Sequence, residues 1–178
     1  EYKSLHKYRN KLLTIFSIDE KSMIYLKNKY LNKFNNDILV SMHVRRGDYV
    51  YISKKWNPNY ILKEQYYINA YNEIKNKLKS NFKLLIFSDD ISWCKENLKF
   101  DNQYFIEDNY DYLDLWLMSL CNHNIINIST FSWWGSYLNM NLDNIVICPK
   151  KSIYKERKNP DNYLSIIYPP DWIIINDY

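Results

Sequence analysis

Apolar positions along the chain follow two periods. Short, mostly apolar runs predict strands: Ile38-Leu39-Val40 opens one expected at 38–44, and others are expected at 84–87, 104–106, 125–128 and 145–148. Between them the spacing becomes helical. Tyr67, Tyr71, Ile74 and Leu78 mark one face of a long helix, and 91–98 fits a short one. Asp111 precedes a helix whose apolar face is Leu113, Trp116, Leu117 and Leu120, and another helix is expected from Thr130 to about Leu142. Strands alternating with helices predict an α/β fold, a parallel sheet covered by helices on both faces.

Two helices are expected before the first strand. Leu5, Tyr8, Leu12, Ile15 and Phe16 recur at helical spacing, as do Met23, Leu26 and Tyr30 behind the cap-like Ser17 and Asp19. Residues 1–36 are therefore expected to be a helical segment that ends or connects a preceding domain, and 37–178 the sheet domain. Residues 50–60 read as a loop long enough to hang over a site, and 168–175 as a closing strap packed on the sheet.

At 178 residues the chain has the size of one domain with a sizeable core. Its 47% hydrophobic and 17% aromatic content excludes a disordered chain. The net charge of +4 comes from lysines spread over helix faces, which argues against a nucleic-acid groove. Cys94, Cys121 and Cys148 lack metal-type spacing and read as reduced, buried thiols of an intracellular protein. No apolar run approaches a membrane span. A cytoplasmic location is expected. Because the chain begins at Glu1, it is expected to be a fragment, with peripheral membrane association through a region outside it.

The polar residues that follow the strands carry the candidate chemistry. The first strand runs into His43-Val44-Arg45-Arg46-Gly47-Asp48-Tyr49, the second into Ser88-Asp89-Asp90, and the fourth into Ser129-Thr130-Phe131-Ser132-Trp133-Trp134-Gly135. Ligands of open α/β sheets bind outside the carboxyl ends of the strands. Two arginines with planar donor forks suit phosphate oxygens, and hydroxyls opening a helix point toward an anion. Gly47 and Gly135 lie inside these clusters, where tight backbone turns are expected. Metal-dependent chemistry is not expected, because Asp89 and Asp90 are adjacent instead of separated and no other hard-cation cluster is visible. Asn127-Ile128-Ser129 matches the glycosylation sequon, but its Asn falls in an expected buried strand.

Together with Asp114-Leu115-Trp116-Leu117-Met118-Ser119-Leu120-Cys121 and the ending Pro170-Asp171-Trp172-Ile173, these motifs resemble the α-1,2-fucosyltransferases of glycosyltransferase family 11 over about residues 38–175. The resemblance implies the Rossmann-like, donor-binding C-terminal half of a GT-B-like enzyme. It implies GDP-β-L-fucose as donor, a galactose-terminated glycan as acceptor, no separate cofactor and no metal. Transfer would invert the anomeric centre and build an α-1,2 linkage on the 2-hydroxyl of the galactoside.

Carried over by position, Arg45 contacts the β-phosphate, Arg46 supports that charge or orients the loop, and His43 contacts guanine or ribose. Asp89 and Asp90 resemble carboxylates that accept from guanine's donor edge, although one of them is expected instead to cap the helix at 91–98. Ser88, Gly47, Ser129, Thr130, Phe131 and Ser132 complete the expected donor site. Asp48 has two readings, a catalytic base or a residue that holds the Arg45 loop, and its place beside two arginines favours the second. Two other functions stay open: a fucosyltransferase of another acceptor class, and a nucleotide-binding fragment without turnover.

Overall fold

The computed structural model describes residues 2–55, 60–150 and 160–176. Among them, β1 (Leu39–Val44), β2 (Lys83–Ser88), β3 (Gln103–Ile106), β4 (His123–Ile125), β5 (Val146–Pro149) and β6 (Ile173–Ile175) form one sheet. The order is β3-β2-β1-β4-β5-β6, and every pairing is parallel. The fold is α/β and Rossmann-like. The strand order reverses at β1, because β2 and β3 build outward on one side and β4 to β6 on the other. The loops after β1 and β4 therefore diverge, which opens a crevice at the carboxyl ends of these two strands.

Side chains of β1 and β2 divide cleanly between the faces. Val40, Met42 and Val44 join Leu84 and Ile86 beneath Tyr66, Tyr67, Ala70 and Ile74 of α5 (Glu64–Leu78). Leu39, Leu85 and Phe87 pack on the other face with Leu113, Leu117 and Met118 of α7 (Asp111–Leu120). That second cluster also takes Leu26 and Tyr30, from α3 (Glu20–Lys29) and its C-cap, and Phe34 of the 3-10 turn Leu31–Phe34. Residues from both sides of residue 36 thus share this cluster. A third cluster joins Ile126, Val146 and Cys148 to Tyr137, Leu164, Tyr168 and Trp172, with Leu5 and Leu12 packed against it.

A buried asparagine network holds β1, β4, α7 and α8 (Thr130–Tyr137) together. The Asn124 amide, fully buried, donates to Ser41 Oγ at 2.6 Å and to Met118 O at 2.8 Å. Its oxygen accepts from Asn139 Nδ2 at 3.0 Å, and the same Asn139 amide reaches Cys121 O at 2.7 Å. The sheet thus aligns β1 with β4 partly through polar side chains, a signal that hydrophobic patterning does not carry.

Several expected boundaries move, each for a visible reason. The expected strand at 125–128 starts at His123 instead, because Asn124 pairs within the ladder, and it ends early because Asn127 N–H turns to Ser132 Oγ at 3.2 Å. The helix expected to reach Leu142 ends at Tyr137, where Asn139 Oδ1 accepts from Asn141 N and its amide is drawn into the network. The expected loop at 50–60 is helical as far as Lys55: α4 (Gly47–Lys55) starts with Asp48 and ends with Lys54 and Lys55, which suits the helix dipole. Residues 56–59 of that loop lie outside the described residues. The single helix expected at 5–16 is two, α1 (Tyr2–His6) and α2 (Arg9–Ile15). The expected strap contains a true sixth strand, preceded by α9 (Pro160–Ile167), which the sequence pattern did not suggest. Two short elements remain to be placed, α6 (Ile91–Asn97) after β2 and the C-cap of α5 at Lys79, whose φ is +50°.

Among the described residues no helix is long and apolar enough to cross a membrane. All three cysteines are buried and free, as expected. Truncating a fully buried amide strands its partners, so Asn124→Ala should lower stability by about 2–3 kcal/mol in urea denaturation. A loss under about 0.5 kcal/mol, the size of a neutral surface change, would show that the network does not hold the sheet.

Candidate functional site

A cavity of about 410 Å³ opens at the carboxyl ends of β1, β2 and β4 and is closed on one side by the start of α7. Its volume lies in the range of small-molecule sites. His43, Arg45, Asp48 and Tyr49 line it from the β1 side, Phe87, Ser88 and Asp89 from β2, and Ser129, Thr130 and Phe131 from the start of α8. Asp111 and Asp114 of α7 complete the wall. Of the site residues expected from the sequence, His43, Arg45, Asp48, Ser88, Asp89, Ser129, Thr130 and Phe131 are brought together here. Arg46, Gly47, Asp90 and Ser132 are not among the lining residues and serve the frame.

The frame is built around Asp89. Its Oδ2 lies 2.7 Å from Arg45 Nη1, and its Oδ1 accepts the Arg46 backbone N–H at 2.8 Å. A Cβ on Gly47 would overlap the same carboxylate, so any side chain there would push Asp89 out of this position. Asp48 Oδ1 takes the other end of the fork, 2.6 Å from Arg45 Nη2. The Arg45 guanidinium is therefore held flat between two carboxylates and remains one-third exposed.

Arg46 points elsewhere. Its Nε meets Asp90 Oδ2 at 3.1 Å, and its guanidinium stacks 3.8 Å over the Trp93 ring. Asp90 is the N-cap of α6, where Oδ1 accepts from Trp93 N at 3.1 Å. Of the two adjacent acids, Asp90 is thus the helix cap. Ser88 Oγ donates to Val44 O at 2.7 Å and accepts from Asp90 N at 2.9 Å, which ties the ends of β1 and β2 together.

On the opposite wall Ser129 is the N-cap of α8 and accepts from Phe131 N at 3.3 Å. The positive end of that helix faces the cavity, a favourable place for an anion. Ser132 is 1% exposed and braces the turn below, accepting from Asn127 N and donating to Ser129 O at 3.2 Å. Asn127 itself is 1% exposed, so the sequon that begins with it is closed to modification. Trp133 and Trp134 pack among Tyr137, Phe16 and Trp172.

His43 is buried against Phe131, with ring centroids 5.5 Å apart, and its Nδ1 has no hydrogen-bond partner in the protein. Burial, reinforced by the Arg45 charge, lowers its pKa to about 3, so the ring is neutral throughout the physiological range. A neutral imidazole with an unpaired nitrogen has one hydrogen bond left to make.

The sequence reading missed Asp111 and Asp114 as site residues, although Asp114 opened one of the quoted motifs. The available signal was two acids three apart in the first turn of the helix that follows β3. Burial raises the pKa of Asp114 to about 6, aided by Asp111 and opposed by a hydrogen bond from Asn109 Nδ2 at 2.7 Å. Two larger hollows exist among the described residues. The first, about 790 Å³, lies at the β6 edge between Glu73, Lys150, Tyr168 and Trp172. The other, about 500 Å³, lies beside Tyr25 and Tyr110. Neither sits at the strand reversal. No group of three or more potential metal ligands occurs among the described residues.

A parallel sheet of this order, with a fixed cation and a helix start facing one crevice, makes an α/β fold whose crevice suits an anionic ligand. The model for glycosyl transferase family 11 matches residues 4–176, and the chain belongs to that family. Its relatives include the O-antigen biosynthesis glycosyltransferase WbnK of Escherichia coli, 32% identical over 81% of this chain and 50% of the relative. An α-1,2-colitosyltransferase of Escherichia coli is 38% identical over 67% of this chain and 43% of its own length. Galactoside α-(1,2)-fucosyltransferase 2 of Pongo pygmaeus is 28% identical over 75% of this chain and 41% of its own length. The chain thus spans half or less of the length of these curated relatives. No solved structure matches it.

Asp114 supplies a stability test. An unfolded aspartate ionises near 3.8 and the folded one near 6, so the native state binds more protons in between. Stability carried by Asp114 is therefore present below about pH 4 and lost as pH rises to about 6. Asp114→Asn should raise stability by about 1–2 kcal/mol at pH 7 and change it little at pH 4. Denaturation at the two pH values checks this, and an equal effect at both would remove the burial argument.

Proposed function

We propose that this chain is the donor-binding portion of an inverting glycosyltransferase that moves L-fucose from GDP-β-L-fucose to the 2-hydroxyl of a terminal galactoside. One observation carries the reading: the exposed edge of Arg45 and the positive end of α8 face one crevice at the reversal of the sheet. A diphosphate fits between them. The activities of two relatives, α-1,2-fucosyl and α-1,2-colitosyl transfer, support the sugar class and linkage.

In this reading the acceptor oxygen forms the new bond to C1 of the sugar while the bond from C1 to the β-phosphate oxygen breaks. Negative charge grows on the departing diphosphate. Arg45 and the α8 start stabilise it without reorganising, since Asp48 and Asp89 already hold the guanidinium flat. Arg46 acts by holding the loop. The acceptor proton goes to a base elsewhere in the whole protein or to the leaving phosphate. Asp48 is assigned the loop, because its carboxylate is spent on Arg45.

The guanine assignment moves to Asp114. Asp89 and Asp90 are occupied by the arginines and by a helix start, whereas Asp114 lines the cavity with one protein donor and spare lone pairs. An ionised carboxylate only accepts, and guanine's N1 and exocyclic amine only donate. His43 takes the ribose or the other edge of the base. A second donor is favoured by one finding, since the relative at 38% identity is a colitosyltransferase, so GDP-colitose is the alternative sugar donor.

Calorimetry tests this directly. GDP should bind this chain at least about ten-fold more tightly than ADP, the worth of one or two base-edge hydrogen bonds, and excess chelator should leave the affinity unchanged. Arg45→Lys in the whole protein should cost about 3 kcal/mol in transfer, roughly a hundred-fold, because an ammonium cannot reproduce the planar fork. Equal affinity for GDP and ADP would overturn the guanine reading, and near-native turnover of Arg45→Lys would overturn the phosphate role.

A further inference from the structure

We propose that Asn109, clamped by Lys29, Tyr25 and Tyr30 of the α3 region, is a positioning residue that aims the Asp114 carboxylate at the guanine of a bound nucleoside diphosphate. The proposal rests on the assignment of Asp114 made above and adds a second layer behind it.

The geometry is a one-way relay. Asn109 Oδ1 accepts from Lys29 Nζ at 2.9 Å, from Tyr30 OH at 3.1 Å and from Tyr25 OH at 3.3 Å. The Lys29 ammonium can only donate and the ionised Asp114 carboxylate can only accept, so the amide oxygen faces Lys29 and the NH2 group faces Asp114. The amide is therefore locked with Nδ2 toward the cavity, where it donates to Asp114 Oδ1 at 2.7 Å. Lys29 also reaches Asp108 O at 3.1 Å and Glu107 O at 3.4 Å, which holds the loop between β3 and α7. That loop needs holding, because Asp108 has a φ of +59°, a region that non-glycine residues rarely adopt.

With one oxygen of Asp114 fixed by Asn109, the remaining lone pairs have a defined direction. The relay also favours the ionised carboxylate, which is the form that accepts from guanine. Lys29 on α3 and the Asn109 amide lower the pKa of Asp114, while burial and the neighbouring Asp111 raise it. The other walls of the cavity present Arg45, Asp48, Asp89 and the neutral His43. The structure thus gives α3 a part in the site although it contributes no atom to the cavity wall, and it explains why a helix outside the β/α alternation packs against the β3–α7 loop.

The experiment compares GDP affinity of the wild-type chain and Asn109→Ala by calorimetry at pH 6 and pH 8, with ADP as the second ligand. The ratio of variant to wild type at each pH cancels the titration of the phosphate itself. Losing the amide donor leaves Asp114 more protonated at pH 6 and ionised at pH 8, so GDP binding should weaken about five-fold at pH 6 and less than two-fold at pH 8, with ADP unchanged. Lys29→Met should shift the profile in the same direction by a smaller factor, and it serves as the readout if Asn109→Ala does not fold. Equal weakening at both pH values would reduce Asn109 to a loop support and overturn the positioning role, with the guanine assignment intact. Equal affinity of the wild type for GDP and ADP would instead overturn the guanine assignment itself.

Discussion

The Asp89 carboxylate is the contact on which the site depends. Standing at the end of β2, it takes one edge of the Arg45 fork and the Arg46 backbone N–H, both from the end of β1, and it occupies the space that a side chain at residue 47 would need. The two strands pair in register from Leu39 with Lys83 to Val44 with Ser88, so the ladder brings Asp89 beside this loop. Arg45 and the loop that follows it inherit their position from that contact. The cost is electrostatic: Asp48 and Asp89 neutralise much of the Arg45 charge, and an arriving diphosphate has to compete with Asp48, the more exposed of the two. What the site gains is a guanidinium that does not reorganise when charge develops.

The two walls of the crevice are fixed by different means. On the β1 and β2 side the fixing is ionic and half-exposed, through Arg45, Asp89, Arg46 and Asp90. The β4 side is held by the buried side-chain amides of Asn124 and Asn139 and by the bond from the Asn127 backbone N–H to Ser132 Oγ, which set where β4 ends and α8 begins. The crevice is built without a glycine-rich phosphate loop among the described residues. The chain has only two glycines, and a helix start with a fixed arginine faces the crevice instead.

The alternation of apolar runs was legible because β1 and β2 are buried on both faces and are apolar at four of their six positions each. β4 was misplaced because its first two residues are polar and buried, and their pairing with β1 and with distant amides has no local signature. β6 and α9 were illegible for another reason: three isoleucines beside a Pro-Pro turn fit a strap as well as a strand until β5 is there to receive them. At the site, the chemistry-bearing types at the strand ends were visible, but their division of labour was not. Arg45 and Arg46 are adjacent in sequence and point to different partners, and Asp90 is distinguished from Asp89 only by the helix it caps. Asp114 stayed hidden because its significance comes from burial opposite Arg45, across a gap of many residues.

Nuclear magnetic resonance of the isotopically labelled chain titrated with GDP tests the central claim, that the ligand crevice lies at the reversal of the sheet. The account predicts that amide shifts concentrate at His43, Arg45, Asp114 and Ser129 to Phe131, with Lys150, Leu164 and Trp172 at the β6 edge unmoved. Shifts confined to that edge cavity, with the first group silent, would contradict it.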